Sequence, residues 1–197
     1  MKDFTKPIYD FLYHNLSLQA AALVTGIVLI IIHVLALAKA PAAMEKLKTV
    51  PRSQNIGTVF ITVDFLWAWM VASSMELGDF ERLRWLALFS VPVIYIAMLF
   101  WVNEYLGARS IGIFLLLAPC PLLDAAFLKG TDARVFLSIL CYVWITLGLF
   151  WIGMPYTMRN QIAWVTRTAG RFKGFAAAGI AYGIVLTVIA LTLYKGF

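Results

Sequence analysis

The chain has 197 residues, of which 62% are hydrophobic and only 13% charged, with a mean hydropathy of +0.87. A soluble domain is near half apolar and a quarter charged, so this composition excludes an ordinary water-soluble globule. The net charge of +6 is carried by residues between hydrophobic runs, which reads as membrane orientation and excludes nucleic-acid binding as its explanation.

In chain order, the stretch 6–14 comes first. It sets Ile8, Phe11 and Leu12 on one helical face, and Pro7 suits a first turn, so it reads as a short interfacial helix. Six apolar runs follow, at about 16–38, 57–77, 83–103, 110–128, 134–155 and 172–194. At ~1.5 Å per residue each reaches across a hydrocarbon core of roughly 30 Å. Lipid offers the backbone no hydrogen-bond partner, so the runs are helices, which satisfy their own N–H and C=O groups. Barrel strands would alternate apolar and polar residues, and these runs do not.

The first run is too long for a signal peptide, and Asp3 lies in its leading segment, so it is read as a retained span despite the small-x-small Ala38-Lys39-Ala40. Runs three and four are separated only by the tight stretch 104–109; the alternative there is one re-entrant element and five true spans. Between runs five and six, Met158, Ile162 and Val165 share a face, giving a second interfacial helix. Trp85, Trp101, Tyr105, Trp151, Tyr156 and Tyr194 lie near run ends as an aromatic belt. The fold expected is therefore an all-α polytopic transmembrane bundle, one integral membrane domain of about six spans with one or two interfacial helices.

Lys39, Lys46, Lys48 and Arg52 follow run one; Arg159, Arg167, Arg171 and Lys173 follow run five. Six spans put those loops on one side, which the charge rule makes cytoplasmic, with both termini non-cytoplasmic. The surplus over all segments is small, because Arg82 and Arg84 follow the acidic Glu76, Asp79 and Glu81 on the other side. Anionic lipid headgroups are the partners expected at the basic loops, with other membrane subunits as further partners. Cys120 and Cys141 lie inside spans at a spacing that forms neither a zinc site nor a redox pair, and read as small apolar fillers.

Ionisable groups inside spans are expensive, and three stand out: His33, Asp64 and Asp124. His33 and Asp64 fall at similar depth, ~8–10 Å below the same surface, so a contact between them is compatible with the spacing. It would make a proton-carrying pair, against which stands a plain polar clasp between helices. His14 lies outside the spans, which speaks against a bis-histidine haem within the chain; a single axial ligand or a haem shared with another subunit is the alternative, and no cofactor or metal is expected. Asp124 follows Pro119 and Pro121, which break the helical ladder and leave either a cavity or a kink, the kink being preferred. A second constellation, Arg52, Glu104, Arg109, Tyr156 and Arg159, gathers at the basic surface as a candidate anion or headgroup site. Gly179 and Gly183 in run six admit a close helix neighbour, by default from the same chain.

No metalloprotease, nucleophile-elbow, phosphate-loop or EF-hand pattern occurs, and no catalytic residue is assigned. Three functions are weighed in this order: a non-enzymatic subunit of a membrane complex, a small transporter or proton-coupled permease using His33, Asp64 and Asp124, and an interfacial lipid-modifying enzyme using Glu104 with Arg109 and Arg159.

Overall fold

The computed structural model describes residues 2–102 and 104–196. The described residues form α1 (Lys2–Tyr13), α2 (Leu18–Ala38), α3 (Ala40–Thr49), α4 (Gln54–Ser74), α5 (Arg84–Trp101), α6 (Leu106–Leu117), α7 (Pro119–Ala126), α8 (Val135–Gly153), α9 (Tyr156–Val165) and α10 (Ala169–Thr192). Short 3-10 turns precede α4, α5 and α8. Six stretches are long and apolar enough to cross a membrane: Leu18–Ala38, Gln54–Ser74, Gly78–Trp101, Leu106–Ala126, Asp132–Gly153 and Ala169–Thr192. They match the six runs to within a few residues. Runs three and four are both long and apolar enough to span, the fourth as the two consecutive helices α6 and α7.

Local chemistry sets the helix ends. Ser17, Ser53 and Thr168 accept from the backbone N–H of Ala20, Ile56 and Arg171 at 3.1, 3.3 and 3.2 Å, satisfying donors that the first turn leaves free. Pro119 and Pro121 lack the N–H that would reach back four residues, and α6 gives way to α7 there. The break is packed: Pro119, Pro121, Ala125 and Ala126 are buried, and α7 lies against α1, α2 and α8. It is a bend fitted to its neighbours. The helix α3 has no counterpart in the sequence reading. Its first turn holds Pro41 and its last turn Lys46 and Lys48, both placements that favour a helix.

Two close crossings organise the bundle. A Cβ on Gly26 of α2 would come within 2.8 Å of the Gly183 carbonyl oxygen of α10, and one on Gly183 equally close to that of Gly26. Gly112 of α6 and Gly148 of α8 approach in the same way. Where lipid removes the hydrophobic drive between helices, such backbone proximity gives the van der Waals contact that holds them. The partner of the run-six glycines is thus the chain's own α2. The main core joins α2, α7, α8 and α10 through Leu18, Ala22, Ala126, Leu137, Cys141 and Leu186. Helix α6 packs between α4 and α8, while α5 lies outermost against α4 and has no buried residue. Cys141 is buried as a filler; Cys120 is exposed on the outer surface.

Each end of the bundle is tied by polar contacts. At the N-terminal end, α1 packs across α4 and α7. The Thr5 and Ser73 hydroxyls lie 3.0 Å apart, and Trp67 Nε1 donates to Tyr13 Oη at 3.0 Å. Phe4, Ile8 and Phe11 point away from the bundle, the face an interfacial helix gives to lipid. Arg84 donates to the carbonyls of Ala72 and Ser73 at 2.9 Å and of Met75 at 2.7 Å, closing the C-terminus of α4 while Glu81 holds it from behind. Tyr194, read from sequence as a belt residue, is instead fully buried: its hydroxyl donates to the Ala133 carbonyl at 2.6 Å and fastens α10 to the start of α8.

Candidate functional site

Ile61, Asp64, Phe65 and Ala68 follow one another at helical spacing and put one face of α4 toward α5 and α6. There they line a cleft of about 120 Å³, closed by Val91, Ile94 and Tyr95 of α5 and Ile113 of α6. Asp64 is 2% exposed, and among the described residues neither carboxyl oxygen has a hydrogen-bond partner. The one hydroxyl on the cleft wall is engaged elsewhere: Tyr95 Oη lies 3.1 Å from Thr62 Oγ1, and its ring stacks on Phe65 at 4.6 Å. A charged carboxylate inside a membrane helix costs on the order of 2.5–3.5 kcal/mol by insertion measures. Asp64 therefore needs a proton, a cation or a donor that none of the described residues supplies.

His33 does not meet Asp64. Its Nδ1 lies 2.7 Å from the Leu29 carbonyl oxygen of its own helix, and its ring covers Gly179 of α10. The glycine leaves the space that the imidazole fills, so His33 is part of the α2–α10 contact. Asp124 is exposed on α7 and acts electrostatically on Tyr9 of α1. His33, Asp64 and Asp124 thus lie on three different helices and make no common site.

The second constellation assembles in part. Arg52, at the end of the turn before α4, donates to Tyr105 Oη at 2.8 Å, and Arg159 of α9 donates to the same oxygen at 3.1 Å. The Arg52 guanidinium also stands 5.1 Å from the Tyr105 ring centre. Tyr105 adopts the left-handed conformation (φ 58°, ψ 32°) at the start of α6, which turns its ring toward the two arginines. The Arg52 hydrogen bond, helped by Arg159, holds the Tyr105 phenol below its ordinary value of 10.0. Arg109 sits one turn further along α6; its Nε is withdrawn from solvent and without a partner. Glu104 is exposed and reaches Arg52 only as a distant charge, and Tyr156 donates to Met154 Sδ at 3.2 Å. The residue that organises the cluster, Tyr105, was read from sequence as an anchor; its left-handed backbone and its partners 53 and 54 positions away leave no local signal.

Beside this cluster, α8, α9 and α10 with Leu47 of α3 border an open pocket of about 590 Å³, lined also by Leu147, Trp151, Gln161, Trp164, Val165 and Phe175. Trp151 Nε1 donates to Gln161 Oε1 at 2.8 Å, and Arg171 stacks over Trp164 at 5.0 Å. Among the described residues, no three His, Cys, Asp or Glu side chains are grouped to hold a metal ion.

Among the described residues, fold and site together define an all-helical bundle with six stretches long and apolar enough for a membrane, a buried unpartnered acid and an arginine-rich end. No protein-family model, curated protein or solved structure matches the chain.

Proposed function

We propose that this protein is a six-span integral membrane component that performs no catalysis of its own and works within a larger membrane assembly. The observation that carries the reading is Asp64: a buried carboxyl with both oxygens unpartnered, behind the outermost helix α5. A bundle complete in itself pairs its buried polar groups. Here the missing donor comes from a transmembrane segment of another chain packed at the α4–α5 junction. Native mass spectrometry after mild extraction from the protein's own membrane tests this. The reading requires further protein masses at fixed stoichiometry, reduced in Asp64→Asn; a lone wild-type chain contradicts it.

The same carboxyl favours a second reading, a small permease in which a proton or organic cation enters the cleft of Asp64. Flux into liposomes by the purified chain, abolished in Asp64→Asn, would select that reading; silent liposomes would remove it. In either case both termini lie on the non-cytoplasmic side, because the loops carrying Lys46, Lys48, Arg52 and Arg159 share one end. A reporter fused after Lys195 that is active only outside the cytoplasm checks the orientation.

A further inference from the structure

We propose that the pocket between α8, α9 and α10, with the arginine corner beside it, is a site for one anionic phospholipid, its acyl chain in the pocket and its phosphate on the guanidinium groups. The inference is independent of Asp64. The pocket wall is apolar where a chain would lie, at Leu147, Val165 and Phe175, and polar where α9 brings Gln161 to its rim. Arg159 adjoins the rim through Asn160, whose Oδ1 accepts from Arg159 at 3.4 Å; Arg171 lies over the wall residue Trp164.

Among the described residues neither Arg52 nor Arg159 hydrogen-bonds a carboxylate, and Glu104 acts on Arg52 only at a distance. Among those residues Arg159 donates only to the neutral oxygens of Tyr105 and Asn160, and Arg52 donates to the same Tyr105. The third guanidinium, on Arg109, follows Tyr105 by four residues and keeps its Nε buried and unpartnered. Head site and tail pocket share neighbouring residues. Trp151 and Leu47 pack with Tyr105 against the small cluster of Ala108, Met158 and Ile162, and both also line the pocket. A guanidinium offers a planar fork of donors to phosphate oxygens, and lipid headgroups and free phosphate share that chemistry. The large apolar pocket decides for the lipid.

The test is lipid retention by the full chain, delipidated and supplied with phosphatidylglycerol or phosphatidylcholine, read by native mass spectrometry. The wild type keeps one phosphatidylglycerol in preference to phosphatidylcholine. Arg159→Gln and Arg52→Gln each lower that retention roughly fivefold, and Arg159→Lys keeps most of it. Leu147→Trp, which fills the pocket, lowers retention of long-chain phosphatidylglycerol but not of its short-chain analogue. Unchanged helicity by circular dichroism accompanies each variant that is scored. Equal retention of the two lipids, retention indifferent to the arginines, or displacement by inorganic phosphate as effective as by lipid overturns the proposal.

Discussion

Two residues show how much a single side chain decides here. Arg84 takes three carbonyls at the end of α4 that no helical N–H can reach, leaving only 13% of its side chain exposed. Hydrogen bonds from a charged group contribute ~1.5–3 kcal/mol each in favourable cases, but they share one side chain. Arg84→Ala is expected to lower the free energy of unfolding by about 2 kcal/mol, measured by denaturant titration in mixed micelles. Tyr105 gives the pH dependence. The two arginines favour its phenolate, so the contribution of this contact is full above 10.0 and fades as pH falls through the lowered folded value. Ultraviolet titration should find a tyrosine ionising below 10.0 that disappears in Tyr105→Phe and moves back up in Arg52→Gln. Both roles were closed to sequence reading: an arginine after an acidic turn and a tyrosine after a span look like surface and belt.

The elements themselves were largely legible, because a membrane helix must be both long and apolar and those properties are written locally. Helix α9 was legible as a helix through Met158 and Ile162, but that face packs on Ala108 of the chain's own α6. What the sequence withholds is azimuth. His33 faces α10 because Gly179 leaves room for its ring, and Asp64 faces α5 because Ile61 and Ala68 share its side of α4. Depth alone made those two residues look like partners. Helix α3 was read as a loop because ten residues of mixed polarity carry no span signal. At this scale the α2–α10 crossing gives the sharpest expectation. Gly183→Leu inserts a side chain where a Cβ alone meets the Gly26 carbonyl at 2.8 Å. Overpacking of that kind costs ~1–3 kcal/mol, and the variant should unfold at correspondingly lower denaturant.

For the molecule as a whole, the two candidate sites are separate: an arginine corner at one end and a buried acid beneath α5. The acid separates a structural from a functional account. If Asp64 held the isolated bundle together, its replacement would weaken it. With no partner to lose, Asp64→Leu should leave the purified chain as stable as before, or more stable by up to about 3 kcal/mol. The deficit should appear only where the missing donor is present.

Cross-linking in the native membrane tests that most directly. A photoreactive amino acid at Ile94, which lines the cleft and stands on the outer side of α5, should capture one polypeptide at a discrete mass. The same adduct should be lost when Asp64 is changed to Asn. Adducts with lipid alone, or a protein adduct indifferent to Asp64, would contradict the account.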